Sequence, residues 1–336
     1  MRRILQMILF VAITFTFTIL YYQISDAKEK LVLRWGATSV RSGLYAITAD
    51  MARVVNKAYP NEIEIRVVET GGYTDNLNRI QKKTVHMGPS DITAGYANYL
   101  GLLDYRGKAN PNLRIMWGGY ITPIHIIVSE KSGITDIRQL NGVEFAMNPG
   151  TSTGRLVDFF FKSLNIYPSY KMISLAESVD AMKAGTVKGW YKSGFRDKAI
   201  VELESSMDIR ILPVTQQMID QFNNTYPGYG HSIKIPAGLF KSVKKPQMSL
   251  AFIVTDFIDK DVPEDVVFKI VKAVWENRQK IANSNSTLKE GDFEDMFGMA
   301  VKYSNVPFHA GAVKFYRDVL KLNIPRKLLP PEIKVR

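Results

Sequence analysis

Three times in this chain a β-like run passes through a turn of small residues into a helix-like run. Leu31–Trp35 enters Gly36–Gly43, Ile63–Val68 enters Thr70–Gly72, and Val143–Met147 enters Gly150–Gly154. A strand that ends in Gly, Ser and Thr and reopens as a helix is half of a βαβ crossover. Repetition of that unit commits the chain to α/β layers over parallel sheets. The same turns carry chemistry, because the first N–H groups of a helix have no partner within it. Small residues let an anion approach those N–H groups without a metal or a cofactor.

The pattern continues along the chain. Leu44, Ile47, Met51, Val54, Val55 and Ala58 mark one helix face, ending at Tyr59-Pro60. Leu77 and Ile80 mark a second helix, followed by apolar runs near 113–120 and 125–129. Further on, Leu156, Phe159, Phe160 and Leu164 face inward on a third helix. Ser174-x-x-Glu177 reads as a capping box before Val179 and Met182. Strands are expected near 171–173, near Trp190, at 209–212 and at 250–255. Asp261-x-Pro263-Glu264 then opens a long helix, 283–291 is a polar loop and 310–322 a last amphipathic helix. Two runs, 126–129 and 252–255, read as crossings between lobes. This order divides the chain into lobe I, residues 28–123 and 250–336, and lobe II, residues 124–249.

The N-terminus has the form of an export signal. Met1-Arg-Arg3 is basic, 4–20 is apolar but for Gln6 and three Thr, and Ser25-Asp-Ala27 is a cleavage site. Residues 1–27 are therefore expected to be removed, with an uncleaved anchor as the alternative, and the protein is expected in the periplasm. The chain of 336 residues has no Cys, which excludes disulfides, thiolate metal sites and a cysteine nucleophile. Its net charge of +12 is scattered rather than gathered in a stripe. After export this argues against nucleic acid and suits an anionic ligand or a basic, solvated surface.

Gly150-Thr-Ser152-Thr-Gly154 fits the nucleophile-elbow pattern, so a secreted serine hydrolase is one alternative, with Asp197, Asp208 or Asp256 as acid and His231 or His309 as base. No upstream oxyanion loop accompanies it, and the run of hydroxyls also suits an anion-binding turn or a simple cap. The four histidines, His86, His125, His231 and His309, lack metal-ligand spacing. Neither a phosphate loop nor Gly-x-Gly-x-x-Gly is present, so ATP, dinucleotides and other cofactors are not expected.

Glu69–Leu77, Gly150–Gly154, Ile235–Gly238 and His309–Ala312 follow Gly36–Tyr45 in a fixed order, with 175–185 and 261–267 between them. In these segments, over nearly the whole chain after residue 27, the sequence resembles the TAXI subfamily of TRAP-transporter solute-binding proteins. That resemblance implies a type II periplasmic-binding-protein fold: two α/β lobes, a two-strand hinge and an interlobe cleft. It also implies a receptor, not an enzyme, that delivers a small organic anion to ion-gradient-driven TRAP integral membrane subunits. A ligand-binding protein feeding a sensor is the neighbouring alternative. Ligands of open α/β sheets lie at the carboxyl ends of the strands, where the three turns are. The expected ligand residues are Thr38, Ser39, Ser42 and Tyr45, then Gly72 and Tyr73, then Thr151, Ser152 and Thr153. Arg41 and Arg155 are candidate carboxylate forks or exposed charges beside a helix start. Trp190 and Tyr191 are placed to stack on the ligand or to pack in the core. Compared with the family, Ser39–Ser42, Lys188-Gly189 and Val85–Ser90 add charge and bulk near the cleft, which points to a dicarboxylate as readily as to glutamate.

Overall fold

The computed structural model describes residues 30–40 and 42–333. The expected signal segment 1–27 and Arg41 lie outside the described residues. Among those residues no helix is long and apolar enough to cross a membrane.

Lobe I begins with strand β1 (Leu31–Gly36), helix α1 (Gly43–Ala58), strand β2 (Ile63–Val68) and helix α2 (Tyr73–Gln81). Strand β3 (Met87–Asp91) and helix α3 (Ile92–Leu100) follow, then β4 (Leu113–Ile115). β1 pairs in parallel with both β2 and β3, as the repeated crossover requires. α1 buries Ile47, Met51, Ala52 and Val55, the 3–4 spacing seen in the sequence. β3 and α3 are not among the elements expected from sequence, because the strand segment is buried throughout and shows no alternation.

Strand β5 (Tyr120–Ser129) crosses to the second lobe. There β6 (Glu144–Met147), α4 (Ser152–Ser163), β7 (Ser169–Met172), α5 (Leu175–Lys183) and β8 (Gly189–Ser193) repeat the parallel pattern. Helix α6 (Lys198–Ser206), β9 (Ile209–Leu212), α7 (Gln216–Thr225) and β10 (His231–Ile235) complete it. Strand β11 (Gln247–Asp259) then returns, and α8 (Glu264–Ser284) packs against α1. The loop expected at 283–291 contains a short helix, α9 (Ser286–Glu290). After α10 (Met296–Tyr303), the last expected helix is α11 (Ala310–Lys314), which continues into a π turn over Phe315–Val319.

The strands form the order β2-β1-β3-β11-β5-β8-β6-β7, so β5 and β11 lie side by side in the middle. β11 pairs antiparallel with β3 through Val254–Ile258 and with β5 through Leu250–Val254. β5 exchanges β11 for β8 at Ile124, a little earlier than the run expected to cross. These two long strands join the parallel sheets, which makes them the hinge. Their approach is tight: a Cβ on Gly119, just before β5, would lie 1.6 Å from the Val254 carbonyl oxygen.

Candidate functional site

The carboxyl ends of β1, β2 and β3 meet at one buried amide. Asn76, on α2, donates through Nδ2 to the carbonyls of Ala37 and Pro89, each at 2.8 Å. Its Oδ1 accepts from Thr70 Oγ1 at 2.8 Å. One side chain thus ties the ends of three strands together and sets the relative position of the first two turns. Gly36 makes room for it, since a Cβ there would fall 2.6 Å from Asn76 Oδ1.

Within the first turn, Thr38 and Ser42 share a hydroxyl hydrogen bond, and Ser42 Oγ accepts from Tyr45 N as the N-cap of α1. Ser39 is exposed, and its carbonyl accepts from Ser42 N at 2.9 Å. The chain's own acids already reach two of the turns. Glu69 Oε1 accepts from Val40 N at 3.1 Å, and Asp75 Oδ2 accepts from Gly71 N at 2.9 Å while also binding Arg79. The first helix start is therefore less open than its composition suggests. At the second, Gly72 is the N-cap of α2 with φ 106, and no side chain caps that helix. The first N–H groups of such a helix have no partner within it. Tyr73's ring packs edge-on against Phe252.

In lobe II, Thr151 caps α4 by accepting from Gly154 N at 3.1 Å, and its hydroxyl lies 3.1 Å from Tyr191 OH. Tyr191 OH also accepts from Asn148 N at 3.1 Å. Tyr191 is buried and stacked on Phe145, so it positions the third turn from behind. Trp190 does not face the cleft. It is fully buried and donates to Asn148 Oδ1 at 3.3 Å, because the strand alternation that brings Tyr191 to the turn sends its neighbour into the core.

The two lobes meet where α2 and α4 begin. Thr74 Oγ1 lies 3.4 Å from Ser152 Oγ, so the starts of two helices from different lobes face each other. Thr153 sits beside them in the first turn of α4. Arg155, two residues farther along α4, reaches across and donates to Asp104 Oδ2 of lobe I at 2.7 Å. It is therefore engaged by the chain's own carboxylate as well as facing the cleft. Burial pulls the guanidinium down, and the Asp104 bond more than restores it, keeping Arg155 charged. Thr74, Asp104, Gly150, Thr151 and Arg155 line a cavity of about 700 Å³ across this seam. A second cavity of about 490 Å³ lies between Leu44, Tyr73 and Phe252 of lobe I and Gly194, Phe195 and Asp197 of lobe II. Both volumes suit a small organic ligand.

Sequence reasoning did not single out Thr74, Asn76, Asp104 or Tyr105. Asn76 had a local signal, a polar residue inside the apolar stripe of Leu77 and Ile80. Asp104 and Tyr105 had none, since they reach the seam only through folding.

Two α/β lobes on parallel sheets, two hinge strands and helix starts facing across the gap define the type II periplasmic-binding-protein fold. The chain belongs to the NMT1-like family, whose model matches residues 36–319. No curated protein sequence matched it. Among solved structures, it is similar to the periplasmic aliphatic sulphonate binding protein SsuA from Escherichia coli, at 14% identity over 77% of this chain and 78% of that one, with a TM-score of 0.44. It is also similar to the GluR0 ligand-binding core from Nostoc punctiforme in complex with L-glutamate, at 12% identity over 81% of this chain and 98% of that one, with a TM-score of 0.45. A structure from work on glutathione import via GshT and the cystine ABC importer TcyBC of Streptococcus mutans is 14% identical over 84% of this chain and 99% of that one, with a TM-score of 0.46.

Proposed function

We propose that this protein is an extracytoplasmic receptor that captures a small organic anion between its lobes and delivers it to a membrane permease. The observation that carries the reading is the meeting of α2 and α4 across the seam, with Thr74 Oγ1 and Ser152 Oγ 3.4 Å apart. The uncapped N–H groups of α2 and those at the start of α4 supply partial positive charge from both sides. An anion bound there contacts both lobes and so favours the closed arrangement, which a permease can read. The proposed lobes are residues 28–123 with 250–336, and 124–249. The proposed contacts are Thr38, Ser42, Gly72, Tyr73, Thr151, Ser152, Thr153 and Arg155, with Ser39, Arg41 and Tyr45 at the first turn.

Non-enzymatic capture is also favoured by the surroundings of Ser152. Its hydroxyl meets Thr74, while His86, His125 and His309 bond elsewhere and His231 lies against Tyr303. A nucleophile needs a base within hydrogen-bond reach. The resemblance to the TAXI subfamily supports a TRAP-type permease as the partner, whereas the Streptococcus mutans likeness belongs to an ABC importer. Mass spectrometry of the ligand released from purified protein, with a thermal-shift screen of small anions, tests capture. No anion raising the melting temperature would sink the receptor reading. Labelling of Ser152 by a fluorophosphonate would replace it with a hydrolase. Uptake into vesicles driven by an ion gradient without ATP supports the TRAP partner, and strictly ATP-dependent uptake refutes it.

A further inference from the structure

The larger of the two seam cavities extends well beyond the helix starts. Its lining begins at Thr74 and Asp104 of lobe I, passes Thr151 and Arg155 at the start of α4, and reaches Ile166 past the end of that helix. α4 has 12 residues and is therefore about 18 Å long. A volume of about 700 Å³ is in the range that encloses a drug-sized molecule. An anion the size of acetate, held between Thr74 and Thr151, would leave most of that space empty.

Donors converge at the seam end only. Farther along, the walls are Met147, Pro149, Ile166, Pro168, Tyr170 and Met172. Strand alternation builds part of this surface: Tyr170 and Met172 are two apart on β7 and share one face of it. Lys171 between them points away and donates to the Thr186 carbonyl. Tyr170 is held with its ring edge-on to Phe145 and its hydroxyl donating to Asp158 Oδ1 at 3.1 Å. Asp158 also accepts from Lys162 at 2.7 Å. The two charges on this stretch of wall neutralise each other, so it offers a second anion no net attraction.

The apolar stretch is also uncovered. β7 is the last strand in the sheet order, and Met172 and Tyr167 are the most exposed large hydrophobics among the described residues, at 60% and 58%. Tyr167 lines the same cavity as Met172. Apolar side chains gathered at an open groove mark a surface that gains by being covered. Continuity with the seam says what covers this one, since the donors and the apolar walls belong to a single cavity.

We propose that the groove along α4 takes the apolar tail of the captured anion, whose charged head sits at the facing starts of α2 and α4. The ligand class is then an amphipathic monoanion, an alkyl or arylalkyl carboxylate or sulfonate, in place of a short dicarboxylate. The inference rests on the receptor reading above and names its ligand.

The test is calorimetric titration of the purified protein with two homologous series, propionate to octanoate and propanesulfonate to octanesulfonate. In at least one series affinity should rise about two- to fourfold for each methylene, and so about thirtyfold or more from the three-carbon to the eight-carbon member. The double variant Tyr167→Ser, Met172→Ser changes two exposed side chains and should fold. It should cut the ratio of eight-carbon to three-carbon affinity by about fivefold or more. That ratio is taken within one preparation, so partial loss of folded protein affects both members alike. A ratio near one in the wild type, or a ratio unchanged in the double variant, overturns the tail site while leaving the receptor intact. Suberate binding more tightly than octanoate would overturn it too, because the far end would then hold a second charge. Binding of no anion in either series, nor of any short dicarboxylate, would overturn both readings.

Discussion

The contact between Arg155 and Asp104 joins the lobes directly, and its removal should loosen their closure. The N–O distance is 2.7 Å, with the Arg155 side chain 21% exposed and that of Asp104 52% exposed. A pair this open to water is worth about 1 kcal/mol, well below the value of a buried pair, because solvent and salt screen it. About 1 kcal/mol corresponds to roughly a fivefold change in the ratio of closed to open molecules. Asp104→Asn should lower the closed-to-open ratio of the ligand-free protein by that factor. It should weaken ligand binding by up to that factor, reached when the ligand-free protein is mostly open, since only the closed form presents both helix starts. The chain has no Cys, so a single cysteine in each lobe, Lys57→Cys and Lys131→Cys, allows dyes to report lobe separation by energy transfer. A double-mutant cycle with Arg155→Gln isolates the pair, and its coupling should fade as salt rises. Unchanged dye separation and unchanged affinity in Asp104→Asn would refute the latch. Tighter binding in that variant would mean that Asp104 competes with the ligand for Arg155, the opposite mechanism.

Asn76→Ala removes the donors that hold the Ala37 and Pro89 carbonyls, and should cost about 2–4 kcal/mol in urea unfolding. Asp256 is buried and accepts from the indoles of Trp35 at 2.9 Å and Trp117 at 3.2 Å, yet burial pushes its pKa up to about 7. The raised pKa contributes stability that is full below the unfolded carboxyl's 3.8 and is lost as pH rises through about 7. Across that window the wild type should lose stability relative to Asp256→Asn, by an amount on the order of a few kcal/mol, and parallel melting curves would refute this. Trp190→Phe should lower stability by about 1–3 kcal/mol and leave the ligand spectrum unchanged, as its ring is in the core. A changed ligand preference would return Trp190 to the cleft.

Much of the architecture was legible because local rules and tertiary packing agreed. The stripe of Ile47, Met51 and Val55 predicted α1, and Ser174 with Glu177 forms the expected capping box before α5. The two crossing strands were also visible as unusually apolar runs, and β5 is buried on both faces for nearly its whole length. Met87–Asp91 failed for a related reason: it is fully buried but holds Gly, Pro, Ser and Asp, residues that locally suggest a turn. Its place between β1 and β11 makes it a strand, and no window of sequence contains those neighbours.

The candidate site divides along the same line. Sequence by itself determined the three small-residue turns, the α/β layering and the absence of thiol chemistry, since each depends on neighbouring residues or on composition alone. Folding alone decided that Glu69 and Asp75 would satisfy part of the first two turns, and that Trp190 would turn inward while Tyr191 braced the third. It also decided that α2 and α4 would face each other, and that Asp104 would find Arg155. These contacts join residues some 50 to 80 positions apart, at 51 for the ion pair and 78 for the two hydroxyls. Their energies come from distance and burial, which the hinge strands impose and the local sequence does not encode.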